Sequence, residues 1–225
     1  MQTTRTVRRT RVTLPDLDDG DLDEVDSLEG EPRDFSYSGA RLRELSLSRS
    51  QLMDGRIADV TTQRTRLDGL RLNSVEFTGC DLPNLRFTDG KLSRVTFTDC
   101  KLLGSVWEDT TFEDVVFERC KFDLATFTRV RAVGPVVFVS CSLREATFAA
   151  AYLGADVAID DCDLALTEFD GGKYRGLDLR GNDLSGLRGL SWLGGVIIDR
   201  AQTRQLAQAL ADELELTFGD DLDQS

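Results

Sequence analysis

The chain repeats itself every five residues. From Phe77 onward, every fifth residue is large and apolar eleven times in succession, and a smaller residue lies two positions before each of them. The large residues are Phe77, Leu82, Phe87, Leu92, Phe97, Leu102, Trp107, Phe112, Phe117, Phe122 and Phe127. A period of five matches neither the period of a helix, about 3.6 residues, nor that of a strand, about two. It therefore predicts a repeat architecture.

Individual units show a resemblance to a known family. Cys80–Asn84 and Cys100–Gly104 each place a small residue first, a polar residue second and a leucine third. They resemble the pentapeptide-repeat family, whose consensus is a small residue, a polar residue, Leu or Phe, and two variable residues. The resemblance implies an all-β solenoid, a right-handed quadrilateral parallel β-helix in which four units make a coil of about 20 residues. This chain would form about seven to eight such coils, with a C-terminal α-helical cap.

The chain divides into four predicted regions. We expect residues 1–34 to be a disordered tail, basic at first and then acidic, because they hold ten acidic and five basic residues without the period of five. Residues 35–198 are the predicted β-helix, residues 199–216 a capping or dimerisation helix, and residues 217–225 an acidic tail. Residues 16–31 carry nine acids and no base, and three interpretations stay open for them. They could be a solvated tail, a cap over the first coil or a segment that binds a partner.

The period slips by one residue twice. The extra residues fall within 133–135 and 154–156, after which the large residues resume at Phe138 and Ile159. Single insertions can be housed as bulges, so we predict no projecting loop. Thr62 occupies a large apolar position, and its hydroxyl would need a backbone partner inside the core.

Residues one coil apart should stack in columns inside the solenoid. The predicted core residues are Phe77, Phe97, Phe117 and Phe138 in one aromatic column, Phe87, Trp107, Phe127 and Phe148 in a second, and Cys80, Cys100, Cys120, Cys141 and Cys162 in a column of thiols. Sulfurs lined up at the coil spacing do not converge as zinc ligands do, so we predict buried thiols and no metal. An odd number of cysteines without a C-x-x-C pair favours a reducing, cytoplasmic location over a disulfide framework.

Little in the sequence favours catalysis. The chain has no histidine, which removes the commonest general base, the Ser-His triad and imidazole metal sites. It has no glycine-rich phosphate loop and no apolar run long enough to cross a membrane. Adjacent acids such as Asp160 and Asp161 would point outward from a convex rod, where no cleft shifts their pKa. We therefore expect a protein that is not an enzyme, needs no cofactor and does not bind nucleic acid directly.

Two outward-facing surfaces stand out from the polar background. The first, the acidic face, consists of Glu108, Asp109, Glu113, Asp114, Glu118, Asp160 and Asp161. The second, the valine face, consists of Val116, Val137 and Val139, which would lie outward in adjacent coils. Contiguous exposed apolar surface marks a partner site more often than scattered residues do. The alternative is that the nearby register slip buries these valines.

The C-terminal region predicts a helix with an apolar stripe. Residues 196–198 read as a last strand, and Asp199 followed by Gln202 fits a capping box. The predicted cap or dimer residues are Trp192, Leu193, Leu206, Leu210 and Leu214. A solenoid needs its open apolar end covered, and members of the family often dimerise through such an element. A monomeric cap and a homodimer both stay open.

Two functions fit these features. One is a non-catalytic interaction scaffold that binds a protein partner through its outer faces. The other follows from the resemblance, because some pentapeptide-repeat proteins are acidic rods that mimic duplex DNA, bind DNA gyrase and protect this type II topoisomerase from quinolones or toxins. Residues 102–198 fit a DNA mimic, since they hold 15 acids and 9 bases. Residues 35–101 do not, since they hold 8 acids and 11 bases.

Overall fold

In the part of the chain that the structure describes, the protein is a parallel β-solenoid of about seven turns followed by one C-terminal α-helix. The structure is a computed structural model that describes residues 3–18 and 20–219. It confirms the all-β solenoid predicted from the period of five. The ends of the two predicted tails, residues 1–2 and 220–225, lie outside the described residues, as does residue 19.

Short strands joined by tight corners build the rod. The strands are β1 (Thr4–Val7), β2 (Thr10–Thr13), β3 (Asp23–Glu24), β4 (Arg33–Ser38), β5 (Arg41–Ser48), β6 (Gln51–Ala58), β7 (Thr61–Asp68), β8 (Arg71–Thr78), β9 (Arg86–Thr88), β10 (Lys91–Thr98), β11 (Val106–Glu108), β12 (Thr111–Glu118), β13 (Thr126–Thr128), β14 (Arg131–Ala132), β15 (Val136–Val139), β16 (Thr147–Ala149), β17 (Val157–Asp160) and β18 (Glu168–Asp170). Two short 3-10 helices, Leu190–Trp192 and Arg200–Gln202, precede α1, which spans Thr203–Glu213.

Two parallel sheets run along the rod. The strands of the nine-stranded sheet are β3, β4, β6, β8, β10, β12, β14, β15 and β17. Those of the seven-stranded sheet are β5, β7, β9, β11, β13, β16 and β18. β1 and β2 form a separate two-stranded antiparallel sheet, which we call the N-terminal hairpin.

From β4 onward, each strand of the solenoid pairs with a segment one coil later in the sequence, whereas β3 pairs with β4 at a shorter separation, Asp23 lying opposite Phe35. Paired residues are twenty positions apart before the first slip and twenty-one after it, as where Phe117 lies opposite Phe138. The added residue falls between Ala132 and Val136, where the pattern placed it. The step returns to twenty beyond the second slip, at residues 154–156.

A residue in the left-handed backbone region turns the chain at many corners. Asp99 and Asp109 have φ of 55° and 51°, a region that aspartate tolerates better than most side chains. Arg119 and Arg129, one coil later, occupy equivalent corners with φ of 50° and 53°. Arg119 donates to both carboxylate oxygens of Asp99 at 2.8 and 2.9 Å, and Arg129 does the same to Asp109 at 2.8 and 2.7 Å. The polar corners of successive coils are therefore linked outside the core.

The two aromatic columns lie inside the solenoid. All eight side chains named for these columns are buried. Trp107 stacks between Phe87 and Phe127, with ring centroids 5.3 and 6.1 Å apart. Its indole N–H donates to the Ser105 hydroxyl at 3.0 Å, so the polar atom of this large residue is satisfied inside the core.

The five cysteines are reduced and buried. Each thiol donates to the carbonyl two residues before it, as Cys100 Sγ does to Thr98 at 3.4 Å. Hydrogen bonding to the Cys100 thiol, together with burial, raises the pKa of Cys80 and keeps its proton in place. Among the described residues, no group of three or more His, Cys, Asp or Glu side chains could hold a metal ion.

Asn182 extends the thiol column by one coil. Its Oδ1 accepts from the Cys162 N–H at 2.8 Å, and its Nδ2 donates to the carbonyls of Ile159 and Leu179 at 2.8 and 2.9 Å. The side chain is buried, and these bonds satisfy the amide there. The period alone did not single out this residue, although it lies twenty positions after Cys162.

Thr62 finds its partner in a side chain rather than in the backbone. Its hydroxyl lies 2.6 Å from that of Thr65, and both residues are buried. The prediction of a backbone partner is wrong because the next small position, three residues on, is also a threonine.

The N-terminal region is folded, so the prediction of a disordered tail over residues 1–34 is wrong for its described part. β1 pairs with β2, and β3 pairs in parallel with β4 of the first coil. Leu28 and Val25 pack against the core of that coil, as the cap interpretation of the acidic segment requires. The prediction rested on charge and did not take account of the side-chain alternation in β1 and β2, which turns Val7 and Val12 to one face.

Candidate protein-interaction surfaces

The valine face is not open to solvent. Val116 and Val137 lie opposite each other on β12 and β15, yet they are only 2% and 0% exposed. Val7 and Val12 of the N-terminal hairpin pack directly on them, and half-buried Val139 lies at the margin of the same cluster. The prediction of an exposed partner site is therefore wrong for this face. The alternative, that these valines are buried, is confirmed. The register slip is not the cause, however, because the N-terminal hairpin covers them.

Acidic residues hold the N-terminal hairpin at the rim of the valine face. Arg5 donates to both carboxylate oxygens of Glu118, at 2.5 and 3.1 Å. This hydrogen bonding lowers the pKa of Glu118 below its usual range. Arg8 Nε donates to Asp160 at 2.7 Å, and Asp114 accepts from a backbone N–H of β2 at 2.8 Å. Three members of the acidic face thus bind the chain's own N-terminus.

The other members of the acidic face are partnered within the solenoid. Arg129 reaches Glu108 at 2.5 Å as well as Asp109, and its hydrogen bonds lower the pKa of Asp109. Two more pairs complete the set: Lys91 with Glu113 at 2.7 Å, and the Ser140 hydroxyl with Asp161 at 2.8 Å. Exposed ion pairs of this kind stabilise a fold little, but the arginine and the lysine offset part of the negative charge that the sequence places here.

Gln202 ties the C-terminal helix to the last coil. Its Oε1 accepts from the Asp199 N–H at 2.6 Å, which completes the predicted capping box. Its Nε2 donates to the carbonyls of Leu179 and Asn182 at 3.0 and 2.8 Å. One buried side chain therefore caps the helix and satisfies the end of the thiol column.

An apolar groove of about 550 Å³ lies between α1 and the last coils. We call it the C-terminal groove; it is lined mainly by Leu179, Leu184, Leu190, Leu193, Val196, Ile198, Leu206, Leu210 and Leu214. Leu193 is buried and Leu206 half-buried, so they close the end of the core. Leu210 and Leu214 are 44% and 58% exposed. The helix therefore covers the core while leaving apolar surface outside.

Sequence reasoning found part of this surface and missed the rest. The predicted strand at residues 196–198 is reduced to one bridge between Asp178 and Ile197, and the side chains on either side of it line the groove. Leu216 and Phe218 are each 54% exposed beyond the helix. Their alternation with polar residues was the signal that could have marked them.

Comparison with known proteins identifies the repeat. The family model described as "Pentapeptide repeat region" matches residues 70–132. Residues 70–132 are therefore a pentapeptide-repeat region. Among solved structures, full-length QnrB1, a plasmid-mediated fluoroquinolone resistance protein, matches 76% of this chain and 99% of its own at 17% identity and a TM-score of 0.46. HetL, a pentapeptide-repeat protein involved in heterocyst differentiation regulation in Nostoc sp. strain PCC 7120, matches 66% and 76% at 17% identity and a TM-score of 0.36. A search of curated protein sequences found no significant match.

A polar cleft of about 460 Å³ borders α1. Glu213 of the helix accepts from the N–H groups of Gly189 and Leu190 at 2.9 and 3.1 Å, so its carboxylate docks the helix. Trp192, predicted as a cap or dimer residue, lines this cleft and is 49% exposed. Among the described residues, no helix is long and apolar enough to cross a membrane.

Proposed function

We propose that this protein is a non-catalytic interaction scaffold whose rods associate in pairs through the C-terminal groove. The observation that carries the proposal is the apolar surface left outside by α1, where Leu210, Leu214, Leu216 and Phe218 are all exposed. Leu210 and Leu214 also line the C-terminal groove, and contiguous apolar surface of this kind marks an association site. By contrast, the N-terminal hairpin covers the valine face.

A second copy of the chain fits this surface by charge as well as by hydrophobicity. The helical segment begins with Arg200 and Arg204 and ends with Asp212, Glu213 and Glu215. A two-fold interface presents the same patch twice, in opposite directions. Two antiparallel copies of α1 would therefore set the basic end of one beside the acidic end of the other, around the leucine stripe. The outer faces of the paired rods would stay available to a protein partner.

Light scattering across a dilution series tests the pairing. We expect the wild-type chain to be a dimer that dissociates on dilution, and Leu214→Asp to be a monomer at the same concentrations. Leu103→Asp is the matched control, because Leu103 is also exposed, at 47%, but lies far from α1 in the sequence. A wild-type chain that is monomeric throughout, or a Leu103→Asp variant that dissociates as readily as Leu214→Asp, would contradict the proposal.

The cysteine thiols indicate the redox state of the compartment that holds the scaffold. All five cysteines are reduced, and each is buried in the core column. Such a set suits a reducing compartment, so we propose a cytoplasmic location.

Modulation of DNA gyrase by DNA mimicry is the second candidate. The acid excess of residues 102–198 supports it, because surface carboxylates could replace phosphates in a basic groove. The pairing of every member of the acidic face weakens it, since three carboxylates hold the N-terminal hairpin and most of the others have cationic partners. The scaffold therefore remains our first proposal.

A supercoiling assay separates the two candidates. Gyrase would be assayed with and without the protein, across a salt series, in the presence and absence of a quinolone. A DNA mimic should inhibit or protect the enzyme, with an effect that fades as salt rises, and Glu108→Gln/Asp109→Asn/Glu113→Gln should lose it. Asp16→Asn/Asp18→Asn is the control, because these acids lie outside the acidic face. No effect with the protein in large excess over gyrase would exclude mimicry of this enzyme's DNA.

A further inference from the structure

The N-terminal hairpin is a structural unit apart from the solenoid. β1 and β2 pair only with each other among the described strands, and they rest on the outer surfaces of β12 and β15. Their apolar contact forms its own small cluster, separate from the core that runs through the coils. Release of the hairpin would therefore expose the valine face without opening the main core.

The face beneath the hairpin is shaped and charged for it. The valines provide the apolar contact. Glu118 binds Arg5, and Asp160 binds Arg8. The loop of the hairpin also contacts later coils of the rod. Arg9 donates to the carbonyls of Ala155 and Gly176 at 3.3 and 2.8 Å. At Gly181, where φ is 80°, an added Cβ would lie 2.2 Å from Arg8 Nη2, so the end of this arginine packs directly against the glycine. These contacts define a site for an arginine- and valine-bearing β-hairpin.

The connection between the hairpin and the first coil is short for the distance between its ends. It leaves Thr13, bound at β12, and reaches Asp23 in β3, which lies five strand positions away in the sheet. Five strand spacings are about 24 Å. A freely flexible chain of the ten residue steps from Thr13 to Asp23 would have a root-mean-square end-to-end distance of about 16–19 Å. Stretching lowers the effective concentration of the hairpin at its own site, so a hairpin from another chain competes on better terms.

We infer that the valine face is an exchange site, at which the N-terminal hairpin of a second copy of this chain replaces the chain's own. The contacts made in the exchanged arrangement are the same as those within one chain. The two arrangements therefore differ in free energy mainly through the connection between the hairpin and the first coil, which we call the tether. Reciprocal exchange satisfies both faces and closes with two-fold symmetry. The occupant is thus defined by chemistry that the chain itself supplies: three arginines, two valines and a two-residue turn. This contact is separate from the C-terminal groove and does not depend on it.

Peptide binding tests whether the face accepts a hairpin from outside. The probe is a labelled peptide of residues 3–14, added to full-length protein that also carries Leu214→Asp, so that the C-terminal groove does not contribute. Val12→Asp places a carboxylate in the valine contact and releases the chain's own hairpin. We expect this variant to bind the peptide at least tenfold more tightly than the protein with its own hairpin intact. Absence of binding to the released variant at about 1 mM peptide, the scale of a short tether's effective concentration, overturns the inference.

A charge swap shows whether peptide binding uses the two observed ion pairs, Arg5 with Glu118 and Arg8 with Asp160. In the released variant, Glu118→Arg/Asp160→Arg should reject the natural peptide and accept a peptide carrying Arg5→Glu/Arg8→Glu. Both substituted positions on the solenoid are on its surface, and circular dichroism checks that the β-helix is intact. Equal binding of the two peptides to both proteins contradicts the proposed site.

Shortening the tether tests exchange between complete chains. Deletion of Pro15–Asp18 leaves six residue steps between Thr13 and Asp23, which reach about 20–22 Å and fall short of β12. In the Leu214→Asp background, this chain should become a dimer, and adding Val12→Asp should return it to a monomer. A shortened chain that stays monomeric, with its hairpin amides unprotected from hydrogen exchange, overturns exchange in trans.

Discussion

The valine face and the C-terminal groove are both apolar, yet one is closed and the other is open. At the valine face the N-terminal hairpin buries the side chains, and arginines on the hairpin meet carboxylates on the rod. At the C-terminal groove, α1 is docked by Gln202 and Glu213, but its outer leucines are left exposed. Exposure in this protein therefore depends on which chain segment reaches a surface, and not on how apolar that surface is. Four experiments would break or sharpen this contrast.

The largest difference is expected from placing a charge in each surface. Val137→Asp puts a carboxylate at a fully buried contact, so the N-terminal hairpin should detach rather than bury it. Val7 and Val12 then lose their burial, worth about 1.5–3 kcal/mol each. Hydrogen exchange should show the hairpin amides losing at least 100-fold of their protection. Leu210→Asp is the matched change in the open groove; at concentrations low enough for the wild type to be monomeric, it should alter the free energy of unfolding by less than about 0.5 kcal/mol. Equal losses from both variants would erase the contrast.

The next effect concerns how the C-terminal helix is held. Gln202→Ala removes the acceptor of the Asp199 N–H and leaves the buried carbonyls of Leu179 and Asn182 without this donor. We expect a loss of about 1–3 kcal/mol in the free energy of unfolding, measured with denaturant. Gln208→Ala provides the control, because Gln208 is an exposed residue of the same helix. If the two substitutions cost the same, the buried amide does not anchor α1.

Acid should release the hairpin before it disturbs the groove. Arg5 lowers the pKa of Glu118, so the carboxylate titrates at a lower pH in the docked state than in the released state. Its contribution is therefore complete above the ordinary glutamate pKa of 4.5 and is lost as pH falls through the lower value of the docked state. Hairpin protection followed by hydrogen exchange should weaken over that range, and Glu118→Gln should flatten the profile. If the pH profile of hairpin protection is the same in wild type and Glu118→Gln, the Glu118 carboxylate does not hold the hairpin.

The smallest effect is expected from the ion pair between Arg5 and Glu118. Arg5→Gln breaks an ion pair whose side chains are 32% and 22% exposed, so it should weaken hairpin docking by no more than about 1 kcal/mol. Added salt should have a similar effect on the wild type and little further effect on the variant. Pairing through the C-terminal groove, followed by light scattering, should respond less to the same salt series, because salt screens only the charged ends of α1 and leaves the leucine contact in place. Salt that dissociates the pair but leaves the hairpin docked would reverse the contrast.

The sequence predicted the interior far better than the surface. The aromatic and cysteine positions repeat at the coil spacing, so each could be placed without knowing its neighbours in space. Val116 and Val137 were correctly paired and assigned outward, but nothing near them in the sequence revealed their cover. That cover comes from Val7 and Val12, more than a hundred residues away. The acidic face was misjudged for the same reason, because the partners of Glu118 and Asp160 lie in the N-terminal hairpin.

The sequence by itself determined the solenoid, its register and both slips. A strictly local period of five makes every coil pack on the next one, so the strand partners follow from counting. Only the tertiary structure decided that the N-terminus folds back over the middle coils and that α1 leaves its leucines outside. These contacts join segments that share no period, and they depend on how far a connection reaches and on which charges meet at its end. A local pattern holds no information on either quantity.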